Sequence, residues 1–445
     1  MKAHFRKTSL AVAMSLVASA ASSMSLLEAY QMALEQDSTI RASRAALESG
    51  RERLPQARSQ LLPSVQANVG RNYNDLNTTS PNVLGQEATT NSTYYSFGKT
   101  VSLRQPLFNP QRYFQYEQAK DQVADAEATH QRDLQELIVR VGGAYMEALL
   151  TEDQLKLVLA QKQQYITLVD AAKKSFKAGA GIRTDIDDAQ ARLDMALASE
   201  LEARQNRDYT HRQLEILVNQ PVKNLSALNL TGLAGLPTNL PPLESWLEQA
   251  QLNSPEIQAL VARVSAADKE ISKAQSGHSP VLDGIVQWND SGNENVTRLN
   301  SRFVTTSLGV QLVVPIFQGG YVSSQVRQAV ADKTRMEEVL EATRRDLNLR
   351  VHKEHRGVTE GVLKVLALEQ AARSAAQLVQ STTKSKLAGV RTTLDILNAE
   401  QQLAAAQRDL VQARYLYLMA RLRLASLVGK SPLEAITEVA QAFES

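Results

Sequence analysis

The sequence predicts a mainly α-helical chain with a membrane β part, built from one unit repeated twice. Long runs without proline place apolar residues at steps of three and four, as coiled-coil helices do, whereas four short segments alternate apolar and polar residues, as half-buried strands do. The order helix, strand, loop, strand, very long helix, hairpin and helix occurs on both sides of a proline-rich linker at residues 219–242. This repetition decides the fold class.

The composition excludes several classes of protein. With 49 Lys and Arg against 47 Asp and Glu, the chain has no strong attraction to nucleic acid. Cysteine is absent, which excludes disulfides, thiol chemistry and a lipid anchor on cysteine. No catalytic triad, phosphate loop or dinucleotide motif is visible, and His352 and His355 have no third metal ligand near them in sequence. We therefore expect no enzyme activity, no cofactor and no metal site.

Residues 1–20 have the pattern of a secretory signal peptide. Lys2, Arg6 and Lys7 form a charged start, Leu10 to Val17 an apolar centre, and Ala18-Ser19-Ala20 a cleavage pattern of small residues. The chain is therefore expected to leave the cytoplasm.

The first repeat is predicted to cover residues 21–218. Val65, Ala67 and Val69 alternate with Gln66 and Asn68, which indicates a strand with one apolar face. The first predicted elements are a helix from Ser25 to about Leu61 with Ser38 as a cap, and strands at about 64–71 and 95–105 around a loop at 72–93. A helix follows from about Pro110 to Lys174, in which only Gly142-Gly143 could act as a breaker. The repeat ends with a hairpin tip at about 176–189 and a helix to about Val218.

The second repeat is predicted to cover residues 243–428 and is followed by a tail at 429–445 that carries no clear signal. Its predicted elements are strands at about 281–288 and 304–314, a long helix, a hairpin tip at about 386–399, and a helix to about Leu427. The long helix carries apolar residues at a strict spacing of seven, at Val351, Val358, Val365, Ala372 and Val379.

The two predicted tips match at an offset of 210 positions, since 389 − 179 = 210. Gly179, Asp185 and Ala189 of the first tip correspond to Gly389, Asp395 and Ala399 of the second. Glycine permits the left-handed turn that ends a helix, a threonine caps the next helix, and an aspartate in the first turn complements the helix dipole. The hairpin turns are assigned to Gly179, Gly181 and Gly389. Any two antiparallel helices could be joined in this way, but the second copy indicates a shared role.

The strands indicate a membrane barrel that no single chain completes. In an exported protein, strands with one apolar and one polar face fit a barrel wall between lipid and water. Sheet edges cannot stay open in lipid, and a barrel needs about eight strands or more, so chains must combine. Three chains with four strands each would give twelve. Helices of roughly 100 Å would then stand outside the bilayer as a periplasmic tube.

The chain resembles the TolC family of outer-membrane efflux and secretion channels over essentially its whole mature length. The resemblance is carried by the duplicated plan and by both tips, Phe176 to Ala189 and Gly389 to Ala399. It implies a homotrimer in the outer membrane of a Gram-negative bacterium, with a twelve-stranded barrel continuous with an α-helical tunnel. It also implies a periplasmic adaptor protein and an inner-membrane ABC or proton-driven transporter as partners, and drugs, other small molecules or secreted polypeptides as cargo.

The resemblance further implies that the tips close the tunnel. Arg391 of the second tip would link to Thr184 and Asp185 of the first, and Asp395 would line the narrowest ring. A bidentate arginine–carboxylate pair is chemically suited to this role. Such a partly exposed pair contributes about 1 kcal/mol or less, small enough for an adaptor to override.

Two positions depart from the family pattern. Lys386 stands where a family member has tyrosine, so a salt bridge to Asp185 would replace a neutral hydrogen bond. Asn398 stands where that member has a second ring aspartate, which predicts weaker block by cations. Asp187 or Asp188 could compensate if either faces the lumen.

Two alternatives remain open from the sequence. One is a periplasmic coiled-coil scaffold or adaptor without a pore, although that class lacks two pairs of amphipathic membrane strands. The other is an enzyme, for which no catalytic constellation is visible. The sequence does not distinguish efflux of drugs from export of proteins.

Overall fold

The computed structural model describes residues 23–236, 241–293 and 300–443, so the predicted signal peptide and part of the linker lie outside the described residues. The helices are α1 (Leu26–Gln36), α2 (Ser38–Arg51), α3 (Arg53–Ser59), α4 (Pro110–Lys177), α5 (Arg183–Val218), α6 (Leu230–Gly235), α7 (Leu243–Asn253), α8 (Pro255–Gln275), α9 (Tyr321–Leu387), α10 (Thr393–Leu427) and α11 (Pro432–Ala440). The strands are β1 (Ser64–Pro81), β2 (Glu87–Phe108), β3 (Val281–Asn293) and β4 (Ser301–Val313). The prediction of long helices with four strands per chain is confirmed.

The strands form one antiparallel sheet in the order β1-β2-β3-β4. Val65 lies opposite Leu103, Leu103 opposite Val286, and Val286 opposite Leu308. Because side chains alternate between faces with a period of two, this register places the apolar residues of all four strands on one face. The β2–β3 pairing joins the two halves of the chain, and β1 and β4 are the sheet edges.

The predicted loop at 72–93 is wrong, because β1 and β2 continue through it as a long hairpin that turns at residues 82–86. The Asn82 side chain accepts hydrogen bonds from the amides of Leu84 and Gln86 at 2.9 and 3.0 Å, which fixes the turn. Thr79 and Thr89 bond across the strands at 2.9 Å. Both faces of this hairpin are polar, so the sequence lacks the apolar alternation by which a strand is recognised.

The predicted helix from Ser25 to Leu61 is three helices, and its cap is Asp37 rather than Ser38. The Asp37 carboxylate accepts from the amides of Thr39 and Ile40 at 2.7 and 3.1 Å, which begins α2. A carboxylate is as good a cap as a serine hydroxyl, and Asp37 also faces Arg140 at 3.3 Å.

The two longest helices, α4 and α9, have 68 and 67 residues. At 1.5 Å per residue each is roughly 100 Å long. Among the described residues, none of the helices combines the length and hydrophobicity needed to cross a membrane.

The main core lies at mid-length of α4 and α9, where these helices meet α1, the C-terminal part of α10 and α11. Tyr145, Val351, Leu418 and Leu422 are all completely buried there. The Tyr145 hydroxyl lies within hydrogen-bond distance of the carbonyl oxygens of Met24 and Ser226, at 2.9 and 3.2 Å, which ties the start of the first repeat and the linker to α4. α4 runs unbroken through Gly142-Gly143. A Cβ on Gly142 would lie 2.1 Å from the Leu422 side chain, so this glycine gives α10 room to approach.

Candidate functional site: the two helical hairpin tips

The two tips turn in the same way. In the first, the amide of Gly179 donates to Phe176 at 3.0 Å and the amide of Ala180 donates to Ser175 at 3.0 Å. In the second, Gly389 donates to Lys386 and Val390 to Ser385, both at 2.9 Å. These paired bonds define the Schellman motif, in which the glycine has a left-handed backbone. Gly179 and Gly389 accordingly have φ of 73° and 77°.

The third predicted turn glycine, Gly181, is not one of the glycines with a positive φ. A larger residue would be crowded here, because an added Cβ would lie 3.0 Å from the backbone nitrogen of Phe176 and from the hydroxyl of Ser175. The second tip has Arg391 at this position, so the two turns differ here.

The second tip begins α10 with a capping box. The Thr392 hydroxyl accepts from the amide of Asp395 at 3.2 Å, and the Asp395 carboxylate accepts from the amide and the hydroxyl of Thr392, each at 2.9 Å. Arg391 lies 3.6 Å from the same carboxylate. The hydrogen bonds from the Thr392 backbone and hydroxyl, helped by the Arg391 charge, hold the pKa of Asp395 below its usual value. Asp395 is therefore ionised at neutral pH.

The predicted threonine cap is wrong for the first tip. Ile182 occupies the cap position of α5, where it cannot accept a side-chain bond, and Thr184 is exposed inside the first turn. Asp185 is half-buried, and its amide donates to the Ile182 carbonyl at 3.2 Å. Asp187 pairs with Arg183 at 3.3 Å. The side chains of Thr184 and Asp185 thus do not cap α5.

The predicted cross-tip contacts do not form within one chain. Lys386 donates to the hydroxyl of the buried Thr393 at 2.7 Å, not to Asp185. Arg391 pairs with Asp395 of its own helix, not with Thr184 or Asp185.

A different contact joins the two hairpins. Arg192 of α5 donates to the Asn398 side-chain oxygen at 2.9 Å and to Gln401 at 2.6 Å, both on α10. Below it, Tyr165, Ala196 and Leu397 form a small buried cluster among α4, α5 and α10. Sequence reasoning missed Arg192 and Gln401, because they lie outside the matched tip segments and no spacing pattern links them. Asn398 therefore anchors the tips, besides lacking the charge of a ring aspartate.

Both tips expose apolar side chains. Leu387 is 86% exposed and Val390 77% exposed in the second tip, and Ile182 is 63% exposed in the first. No group of residues suited to hold a metal ion occurs in the part of the chain that the structure describes. The tips combine ionised groups with exposed apolar side chains. Such a combination is typical of a surface that binds another protein chain.

The chain matches the family model described as outer membrane efflux protein over residues 29–220 and 246–430. It is 33% identical over 425 residues to the alkaline protease secretion protein AprF of Pseudomonas aeruginosa, covering 93% of this chain and 86% of that protein. It is 28% identical to the proteases secretion protein PrtF of Dickeya chrysanthemi over 98% of this chain and 95% of that protein. Against the outer membrane protein TolC of Vibrio cholerae the identity is also 28%, covering 96% and 95%.

Solved structures share the fold at lower identity. The Campylobacter jejuni CmeC outer membrane channel superposes with a TM-score of 0.79 at 16% identity, covering 94% of this chain and 90% of that one. The outer membrane protein VceC of Vibrio cholerae superposes with a TM-score of 0.76 at 18% identity, covering 91% and 96%.

Proposed function

The chain belongs to the outer membrane efflux protein family, and on that premise we propose that three copies form a gated channel-tunnel fed by an inner-membrane translocase. The protein resides in the outer membrane and extends into the periplasm as a transport channel of the secretion and efflux type. The observation that carries the assembly is the open sheet, whose two edges lack partners within the described chain.

The two edge strands of the sheet need pairing strands from other copies of the chain. β1 and β4 carry 18 and 13 residues, each pairing on one side only. Lipid offers no hydrogen bonds to the other side, so each edge has to pair with another strand inside a membrane. Pairing β1 of one copy with β4 of the next closes a barrel, and three copies give twelve strands.

The helices also have faces that need partners. Leu201 and Ile216 of α5 are 71% and 78% exposed, and Leu349 and Leu363 of α9 are 69% and 66% exposed. Apolar side chains along two outer helices fit packing against neighbouring copies. Both the sheet and the helices therefore support a homotrimer.

The proposed gate lies between neighbouring copies. Because Arg391 does not reach Thr184 or Asp185 within one chain, their contact would form with the adjacent copy. Three ionised Asp395 side chains at the closed end would concentrate negative potential there. Asn398, held by Arg192, adds no charge to this ring.

The exposed apolar tips suit a periplasmic adaptor protein, which would cover Leu387, Val390 and Ile182 and link the tunnel to an ABC or proton-driven inner-membrane transporter. AprF and PrtF are named for the secretion of proteases, which supports a secreted polypeptide as cargo. Efflux of small molecules is the second candidate, supported by the efflux family and by the likeness to the TolC protein of Vibrio cholerae.

A disulfide test addresses the gate and the cargo together. The chain has no cysteine, so Thr184→Cys with Arg391→Cys introduces the only two cysteines of each chain, at the proposed contact. We expect cross-linked trimers on a non-reducing gel, and export of a protease by the cognate translocase that stops on oxidation and resumes on reduction. Either single variant is the control. A monomer without cross-links would contradict the trimeric gate and favour a scaffold or adaptor protein instead. Normal export from cross-linked trimers would contradict the gate alone.

A further inference from the structure

Arg192 lies across the seam between the two helical hairpins of one chain. We call α4 with α5 the first hairpin and α9 with α10 the second hairpin. The Arg192 side chain extends from α5 to α10, where its Nη1 donates to Gln401 at 2.6 Å and its Nη2 donates to Asn398 at 2.9 Å. Both acceptors are uncharged amides, and their spacing of three positions puts them on one face of α10, as the fork of a guanidinium requires. We call this contact of Arg192 with Asn398 and Gln401 the Arg192 bridge.

Each hairpin is fastened internally by charged groups. In the first hairpin, Lys162 of α4 donates to Glu200 of α5 at 2.6 Å, and in the second, Arg414 of α10 donates to Glu369 of α9 at 2.8 Å. These four side chains are between 11% and 30% exposed, so salt screens the two ion pairs less than it screens pairs on the surface. Lys386 adds a further bond between α9 and α10 near the second tip. Each hairpin therefore holds together as a unit.

The seam between the hairpins is held more lightly near the tips. Farther from the tips, the hydroxyl of Tyr415 on α10 bonds to Asp153 of α4 at 2.8 Å. Asn398 is 17 residues from Tyr415, since 415 − 398 = 17, which is about 26 Å of helix. Within the described part of the chain, the Arg192 bridge supplies the side-chain hydrogen bonds that join the two hairpins over this stretch. The buried cluster that includes Leu397 packs beside the bridge and consists of three residues.

We propose that the Arg192 bridge holds the second hairpin against the first within each chain, and that the tunnel opens when this bridge breaks. Opening requires the hairpins to move, and each hairpin resists separation of its own helices, so the movement occurs at the lightly held seam. Arg192 acts through the position of the second tip, which carries Arg391 and Asp395, and is therefore a positioning residue for transport. This inference rests on the gated channel of the proposed function and adds a contact within each chain to the gate between copies.

The Arg192 bridge differs from the proposed gate contact between copies in its response to salt. A partly exposed ion pair of Arg391 with Asp185 weakens as the screening length falls from about 8 Å at 0.15 M to about 3 Å at 1 M salt. The bridge joins one charged group to two neutral amides, so screening weakens it much less. The contribution of Arg192 to closure is therefore nearly independent of salt.

The test measures the open probability of single channels of the purified trimer in a planar bilayer, at about 0.15 M and about 1 M potassium chloride. Arg192→Ala removes the bridge, and Asn398→Asp replaces one neutral acceptor by a carboxylate that strengthens it. Arg204→Ala is the matched control, because Arg204 is also an arginine of α5 but bonds to Glu200 of its own helix.

We expect Arg192→Ala to raise the open probability roughly tenfold at both salt concentrations, since hydrogen bonds from a charged donor are among the stronger ones. Asn398→Asp should lower the open probability by about fivefold or less at low salt, and by a smaller factor at high salt. It should lose this effect in a chain that also carries Arg192→Ala. The control Arg204→Ala should open as the wild type does.

An open probability that Arg192→Ala leaves unchanged would overturn the proposal, as would an equal effect of Asn398→Asp with and without Arg192. If Arg192→Ala does not assemble, Asn398→Asp decides alone, because an unchanged or raised open probability in that variant contradicts the bridge. Channels that open in Arg391→Ala but not in Arg192→Ala would retain the proposed gate without the bridge. A wild type that forms no channel would instead contradict the proposed function.

Discussion

At the scale of single residues, small side chains decide how closely the helices approach. The pair Gly142-Gly143 reads in the sequence as a weak point of a long helix. In the structure α4 runs through it, and a Cβ on Gly142 would overlap the Leu422 side chain. A Cβ on Gly143 would lie 3.5 Å from the Met419 methyl group, an ordinary contact. Sequence pattern alone does not distinguish two adjacent glycines with different neighbours.

Gly142→Ala is therefore expected to destabilise the protein by about 1–3 kcal/mol, because the α4–α10 contact must open to admit the methyl group. Gly143→Ala is the matched control and should be neutral or slightly stabilising, since alanine favours a helix by about 1 kcal/mol over glycine. Thermal unfolding followed by circular dichroism at the helix band measures both. Equal destabilisation by the two variants would contradict the assigned packing.

The tips show how far single residues could be predicted. The matched Gly179 and Gly389 do turn the helices, and the second-tip threonine does cap. The first-tip cap failed because Ile182, not Thr184, occupies the position before the helix. The Arg192–Asn398 contact could not be predicted, since it depends on the rotation of two helices that are distant in sequence.

At the scale of elements, the C-terminal tail gains its structure only from its surroundings. α11 is a nine-residue helix whose Ile436 and Val439 are buried against the bundle. Glu438 pairs with the buried Arg421, and Lys430 lies 3.5 Å from the same carboxylate. Burial opposes ionisation, but these two cations hold the pKa of Glu438 below its usual value of 4.5. A short segment carries too little periodicity to reveal a groove formed by distant helices.

This pair predicts a dependence of stability on pH. Because the folded pKa of Glu438 is lowered, its stabilising contribution is present above pH 4.5 and is lost as the pH falls through the folded pKa. Glu438→Gln should cost about 1–2 kcal/mol at pH 7, and the difference from wild type should shrink below pH 4.5. The exposed Glu434→Gln, measured by the same thermal unfolding, should cost less. A difference that stays constant down to pH 3 would contradict the ion pair.

The strands and long helices were predictable to different degrees. The heptad positions Val351, Val358 and Val365 are buried, as their spacing indicates, because packing along a helix bundle preserves that period. The hairpin at residues 72–93 was missed, because strands that face solvent or polar surface on both sides need no alternation.

At the scale of the whole molecule, the fold class followed from repetition, since two halves with the same order of elements constrain each other. The proposed assembly is supported by what a single described chain leaves without a partner: two sheet edges, apolar helix faces and tip residues that do not meet. The proposed trimer accounts for all three features together.

The most direct test of the gated channel is the conductance of the purified wild-type trimer in a planar bilayer, beside Arg391→Ala with Asp185→Ala. Small, rare openings in the wild type that become larger or more frequent in the variant are expected, because removing the proposed contact between copies frees the tips. The change should be about fivefold or less for each contact of about 1 kcal/mol. Conductance that is large from the start and equal in both proteins would contradict the gate, and no conductance in either would contradict the channel.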